Sequence, residues 1–271
     1  MKKLLLVLIV VGIISCLFTG CLPGVIPEPD PEPEPDPDST TTNRVVMVEL
    51  FVGPACPRCP EAKGYMAQLL GEYGFDKLVV LELYPWNSPL ISGWSTSETS
   101  NRYKWYTSIW GAPDAYFNGL NQTVHYDESS YYNYKTAIDK ELEKPAQVSI
   151  SASASQDDII RSISINGSIN NISSDALNDI VISAMIYEDS VSLIIPGYSI
   201  DTIVNHVVRD IITPEESGQT IDILSPGESY EFSLVSATLN NVKNMDNIHV
   251  VVYVQAPNSP NKEILQALYV N

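Results

Sequence analysis

The chain reads as an α/β domain followed by an all-β sandwich, both carried behind an export signal and a proline-rich spacer. Three observations predict this order. Residues 44–145 alternate strand and helix signals, residues 146–271 offer only short alternating strands, and residues 1–43 hold nothing that could pack a core. A length of 271 residues with 44% hydrophobic content suits two ordinary domains with real cores and excludes disorder of the whole.

Residues 1–20, MKKLLLVLIVVGIISCLFTG, open with Lys2 and Lys3 and run into an apolar block over 4–14. The block is too short to span a bilayer comfortably, so the segment reads as an export signal. A small residue, Gly20, then precedes Cys21, and the structureless LPGVIPEPDPEPEPDPD follows. This arrangement resembles the lipobox of prokaryotic lipoproteins. The resemblance implies that residues 1–21 are signal and lipobox, and that Cys21 is lipidated and becomes the first residue of the mature chain. IISC, ending at Cys16, is a competing box, and an ordinary cleaved signal or an uncleaved anchor with Cys21 incidental is the alternative. One acyl chain alone holds a protein weakly, so anchoring to the membrane calls for several.

Residues 22–43 form a Pro/acid-rich linker. Alternating proline and acid favours extended polyproline geometry, which at about 3.1 Å per residue gives a reach on the order of 60 Å. Loss of Lys2 and Lys3 with the signal moves the net charge from -18 to -20. A surface this acidic argues against nucleic acid as a partner and against electrostatic adhesion to anionic lipid. With Cys21 capped, Cys56 and Cys59 are the remaining thiols, too few for a disulfide scaffold.

Within residues 44–145, RVVMVELFV is a β-branched run of strand type, EAKGYMAQLLGEY has helical spacing at Tyr65, Met66, Leu69 and Leu70, and KLVVLELY is a second strand. SETSNRYKWYTSIW then predicts a helix capped by Ser97 or Thr99, GAPDAYFNG a short strand ending in a turn, and DESSYYNYKTAIDKELEK a last helix closed by Pro145. Cys56 and Cys59 stand between the first strand and the first helix. A helix start sets unpaired N–H groups and a positive dipole end against the first sulfur, a field that stabilises thiolate. Arg58 adds a cation between the cysteines and Pro57 suits a first turn. Pro60 removes a donor near the end of that turn and predicts a delayed or kinked helix.

Strand, CxxC, helix, strand, helix, then GAP before a strand ending FNG resembles the thioredoxin fold. The resemblance implies that Pro113 is cis and faces the CxxC, with Ala112 before it and Arg58 as binding positions. More narrowly, VELFVGPACPRCPEA is similar to the motif of Omp28-related, thioredoxin-like surface lipoproteins through Glu49, Phe51, Gly53, Cys56, Cys59 and Pro60, and NHVVRDI, with His206 and Arg209, extends the similarity toward the C-terminus. It implies a catalytic set of Cys56, Cys59, Pro113 and Glu49, with Glu49 as a buried proton acceptor for Cys59. A solvent-facing Glu49 is the alternative. The chemistry implied is thiol–disulfide exchange on protein or peptide thiols: Cys56 attacks as thiolate, Cys59 resolves the mixed disulfide, and an unidentified electron donor or acceptor resets the pair. No cofactor is implied. CPRC and the missing tryptophan before the motif leave the direction of exchange open and weaken any reading as a general reductase.

Two other readings of the pair stand beside exchange. A zinc site wants four ligands, whereas no second CxxC exists and His125, His206 and His249 are scattered singly, so no metal site is expected. A static Cys56–Cys59 disulfide would make the chain a cell-surface binding lipoprotein with a non-catalytic thioredoxin-like domain. A peroxidase has little support. The aromatic-rich stretch around Trp86, Trp94, Trp105 and Trp110, with the loop PWNSPLISGWSTS, offers candidate walls for a groove, although core packing accounts for most of these rings.

From residue 146 the strands AQVSISASAS, DIIRSISINGSI, DIVISAMIYED, QTIDIL, SYEFSLVSATL, NIHVVVYVQAP and EILQALYV alternate with Asn, Asp, Gly and Pro turns, the signature of an immunoglobulin/fibronectin-like sandwich. This half carries no catalytic constellation. Asn121, Asn166 and Asn171 sit in N-x-S/T sequons, which are acceptors where the host glycosylates exported proteins.

Overall fold

The first strand of the α/β portion, β2 (Val46–Phe51), and the strand after its helix, β3 (Leu78–Leu83), pair in parallel from Val46 opposite Leu78 to Phe51 opposite Leu83. Both are buried along their whole length, as parallel strands covered on two faces must be. The structure is a computed structural model and describes residues 39–41, 43–87, 93–108, 111–119, 121–124, 127–194, 201–214, 218–260 and 262–270. The export signal, Cys16, Cys21, Trp110 and His125 lie outside the described residues, as does most of the spacer.

Helix α1 (Cys59–Tyr73) crosses between β2 and β3. It starts at Cys59, two residues before the expected Glu61, and runs without interruption. Pro60 falls in the first turn, where a missing N–H costs nothing because that group has no partner inside the helix. Helix α2 (Ser97–Tyr106) is capped by Thr96, not by Ser97 or Thr99. The Thr99 N–H donates to Thr96 Oγ1 and the Thr96 N–H donates back to Thr99 Oγ1, a reciprocal box. β4 (Asp114–Phe117) lies antiparallel on β2, β5 (Asn121–Val124) closes that edge, and α3 (Ser129–Leu142) follows. The β4–β5 turn passes through Asn118 and Gly119 at positive φ; a Cβ on Gly119 would sit 2.4 Å from the Lys262 carbonyl oxygen.

β6 (Val148–Asp157), β7 (Ser162–Asn171) and β13 (Ser229–Val235) form a four-stranded antiparallel sheet with β1 (Ser39–Thr41). The far end of the proposed linker is therefore a strand. It is the proline-free, Thr-rich part of that segment. β8 (Leu177–Glu188), β12 (Gln219–Leu224), β14 (Ile248–Gln255) and β15 (Ile264–Val270) belong to a second sheet, and side chains such as Ile150, Ile165 and Phe232 interleave with Ile182, Ile221 and Val252 in one core. This is two-sheet packing, with all seven expected strands present.

Three further strands escaped the sequence pattern: β9 (Val191–Ile194), β10 (Asp201–Val204) and β11 (Val207–Ile212). β9 and β10 make an antiparallel ladder of their own. β11 sits between β8, antiparallel, and β3, parallel, with Val207 opposite Glu82 and the Glu82 N–H donating 2.8 Å to the His206 carbonyl. The result is one nine-stranded mixed sheet in the order β15-β14-β8-β11-β3-β2-β4-β5, with β12 on β8. The expected division at 145/146 is thus a position the sheet runs across, and the described residues fall in one compact unit. The sheet also curls: the Ile264 N–H donates 2.9 Å to the Asn118 carbonyl, and Tyr269 meets Phe75 edge to face.

β11 hides from a pattern reading because it is buried on both faces yet carries Arg209 and Asp210, 2% and 5% exposed. Arg209 is held by Glu188 Oε2 at 2.8 Å and by the Gly93 carbonyl at 3.1 Å, over the ring of Trp94. Burial draws the Arg209 pKa below its ordinary value and Glu188 opposes it. Glu188 Oε1 also accepts the N–H groups of Lys243 and Asn244. Asn171 proves to be a turn anchor: fully buried, its amide donates to the Asp175 and Leu224 carbonyls, which withdraws it as a glycan acceptor in the folded chain. Asn166 is exposed, and the side chain of Asn121 lies outside the described residues.

Glu188→Ala strands a buried guanidinium and two backbone donors. It is expected to cost about 3–5 kcal/mol, measured as a lower urea midpoint; a loss under about 1 kcal/mol, the size of a surface pair, contradicts this role for the pair.

Candidate functional site

β2 ends at Phe51, the Val52 N–H ties the exit to the Leu83 carbonyl at 2.9 Å, and residues 53–58 turn the chain into α1. Cys56 and Cys59 are joined in a disulfide across this turn, Cα atoms 5.4 Å apart. The two sulfurs are unequal. Cys56 is half-buried beside exposed Pro57 and Arg58, whereas Cys59 is 2% exposed and packed in the core against the β2 and α1 side chains. The Cys59 N–H, the first of the helix, points at Cys56 Sγ from 3.1 Å. Reduction would leave that N–H and the positive helix end facing a Cys56 thiolate, the form they favour.

The Ala112–Pro113 bond is cis, and the Ala112 carbonyl oxygen lies 3.4 Å from Cys56 Sγ. The structure thus brings Cys56, Cys59, Ala112 and Pro113 together, with Arg58 as the N-cap of α1 between the sulfurs. A cleft of about 380 Å³ opens here, lined by Gly53, Pro54, Ala55, Cys56, Trp86, Gly111 and Ala112. Among the described residues Trp86 is the tryptophan of the aromatic stretch that lines this cleft. Trp94 is buried against Tyr84, and Trp105 lies under Lys262 and Arg102.

Glu49 does not join the site. Along β2, Val46, Val48 and Leu50 share a core with Cys59 and α1, while Met47 and Phe51 share another with Tyr103 of α2. Strand alternation puts Glu49 on the second face. It is fully buried there, bound by Arg102 Nε at 2.6 Å, Arg102 Nη2 at 3.0 Å and the Tyr106 hydroxyl at 2.5 Å. Burial pulls the Arg102 pKa down, and Glu49 outweighs it and holds it well above the ordinary value. Both expected roles, proton acceptor for Cys59 and solvent-facing acid, are replaced by that of a fork-bound structural carboxylate.

The acid on the cysteine side is Glu82, which sequence reasoning missed. It lies opposite Leu50 in the parallel register and so faces α1 with Leu78 and Val80. Glu82 is 6% exposed, 3.0 Å from Lys63 Nζ, and accepts 3.1 Å from the Tyr84 hydroxyl. Burial raises its pKa and Lys63 works against the rise. The signal was its parity with Leu78 and Val80 in KLVVLELY: an acid on the inward side of a strand. Glu82, Lys63 and Tyr84 line a second cleft, of about 680 Å³, whose lining also includes Cys56 and Cys59.

The histidines are less scattered than the sequence implied. His206 and His249 approach Asp189 at 3.9 and 3.5 Å, with Tyr187 stacked on His249. Among the described residues no group of three or more His, Cys, Asp or Glu could hold a metal ion.

Removing Glu49 separates the two acids experimentally. Glu49→Ala is expected to destabilise the fold by about 3–5 kcal/mol while leaving the alkylation rate of reduced Cys56 and its pH dependence unchanged; a shifted pH profile would return Glu49 to the site.

No family model matches the chain, and no curated protein matches it. Among solved structures, HBP35 of Porphyromonas gingivalis is similar over 84% of this chain and 74% of its own, at 14% identity and a TM-score of 0.66. A crystal structure of a protein from Agrobacterium tumefaciens aligns over 85% of this chain and 96% of its own, at 18% identity and a TM-score of 0.54. A domain of the outer membrane lipoprotein Omp28 from Porphyromonas gingivalis overlays 46% of this chain and 88% of its own at 16% identity, with a TM-score of 0.31 that is too low to carry a correspondence. At these identities the first two show a shared mixed α/β fold, rich in sheet and poor in helix.

Proposed function

We propose that the protein is a membrane-anchored, extracytoplasmic thiol–disulfide oxidoreductase of thioredoxin-like fold with a β-sandwich portion, acting on protein or peptide thiols through Cys56 and Cys59. The observation that carries the proposal is the asymmetry of the pair: an accessible sulfur under the first helical N–H, and a buried partner behind it. Lipid anchoring through Cys21 supplies the location.

In the oxidised protein a substrate thiolate attacks Cys56 Sγ, the S–S bond breaks, and Cys59 leaves as thiolate. The substrate's second thiolate then attacks its own sulfur in the mixed disulfide, Cys56 leaves as thiolate, and two electrons have passed from substrate to protein. The reverse sequence reduces a substrate disulfide. Exposed Arg58 and the α1 N-terminus favour Cys56 as the anionic leaving group and attacker. The Ala112 carbonyl lies where a substrate backbone N–H would meet it.

Cys59 needs a proton acceptor when it resolves the mixed disulfide as a nucleophile and a donor when it leaves. We assign that proton to Glu82, which shares the α1-facing side of β3 and whose pKa is raised by burial against the pull of Lys63. Because Glu82 must be ionised to accept, resolution accelerates as pH rises through its raised pKa. Lys63→Met removes the opposing cation, so the pH profile of resolution is expected to move to higher pH, and Glu82→Gln to slow the step across the neutral range. Unchanged profiles in both variants contradict the role.

The exchange reading itself is tested by trapping. Cys59→Ser, mixed with a disulfide-bonded peptide, is expected to accumulate a covalent adduct on Cys56 seen by mass spectrometry, while Cys56→Ser accumulates none. No adduct from either variant leaves a static disulfide and a binding lipoprotein.

A further inference from the structure

The 680 Å³ cleft extends well beyond the two cysteines. Its walls come from three places: Val52 at the end of β2, Met66 and Leu70 on α1, and Leu193 and Val204 on the β9–β10 ladder. Leu193 and Val204 belong to the same core as Cys59, so the β9–β10 ladder is packed beside the redox pair as a fixed wall.

We infer that this cleft is a specificity pocket for a bulky apolar side chain next to the reactive cysteine of a peptide substrate. The inference rests on the exchange reading above and names its substrate class.

Covalent geometry places the occupant. Because Cys56 lines the cleft, a substrate in mixed disulfide with it has its cysteine against the cleft, and an extended chain advances only about 3.3–3.6 Å per residue. The neighbouring residue therefore falls at the same cleft, whose lining includes Val52, Met66 and Val204. The acid and the lysine of the lining are already engaged: Glu82 and Lys63 pair at 3.0 Å and the Tyr84 hydroxyl donates to Glu82, so an incoming charged group would lose its water against charges that already face each other. An aliphatic or aromatic side chain instead gains apolar contact. Ile203, 59% exposed and lining the same cleft, continues the apolar surface outward under a peptide lying across the edge. The overall charge of -18 adds a preference for peptides that are not acidic elsewhere.

The test uses the reduced full chain and a set of single-cysteine octapeptides, each activated as a disulfide with a small thiol, the residue beside cysteine being Ala, Leu, Phe, Trp, Glu or Lys. Stopped-flow rates are compared with that of a small dithiol, dithiothreitol, on the oxidised protein. Phe or Leu is expected to exceed Ala by at least about tenfold in rate, about 1.4 kcal/mol, and Glu to fall below Ala. Met66→Trp fills the cleft and Ile203→Asp charges its edge; each should flatten the series and leave the dithiothreitol rate unchanged. Because Ile203 is exposed, Ile203→Asp folds even where Met66→Trp overpacks. A flat series in the unaltered protein, with dithiothreitol reacting normally, overturns the pocket alone. Failure of dithiothreitol to react overturns the exchange reading and the pocket with it.

Discussion

The hydrogen bond from the Glu82 N–H to the His206 carbonyl, 2.8 Å long, is where the two halves of the chain become one sheet. It fixes β11 in parallel register on β3, with Val207 opposite Glu82. Only Asn205 and His206 separate β10 from β11, so the pairing also decides where the β9–β10 ladder must lie. His206 makes that short turn at positive φ, its N–H held by Asp189 at 2.5 Å, while Asn205 accepts the Ser190 N–H. One register thus sets the wall beside the CxxC and the continuity of the sheet. A slip of β11 by one residue along β3 would turn Val207 and Arg209 to the opposite faces.

The two buried acids show how the same sheet serves two purposes. Glu49 receives a bidentate guanidinium and a phenol, which offset the cost of burying its charge and lock α2 to β2. Glu82 receives a lysine and one hydroxyl, less than its burial demands, and its pKa rises. The underserved acid lies on the face with the cysteines. A proton-handling group needs its charged and neutral forms closer in energy, and incomplete compensation provides that.

Much of the first half was legible because its signals are local. A β-branched run, a CxxC at a helix start, a second strand and a proline before a short strand each announce themselves within a dozen residues, and the Cys56–Cys59 disulfide lies beside a cis Ala112–Pro113 bond. Alternation likewise exposed seven strands of the second half. What failed was parity and long-range pairing. Glu49 and Glu82 are both acids on buried strands, and only the face that α1 covers distinguishes them; nothing near Glu49 in sequence announces Arg102, 53 residues away. β11 was hidden by Arg209 and Asp210, whose partners are Glu188 and the Ala237 N–H. A strand that borrows its charge compensation from distant residues looks polar in sequence and apolar in the fold.

The measurement that bears most directly on the exchange site is the equilibrium reduction potential of the Cys56–Cys59 pair, titrated in a dithiol redox buffer with thiol labelling as the readout. An exchange site under the α1 N–H predicts a value within roughly -120 to -270 mV, the span of catalytic pairs, and the value itself gives the direction of electron flow. A potential below about -300 mV marks a structural bond and contradicts it.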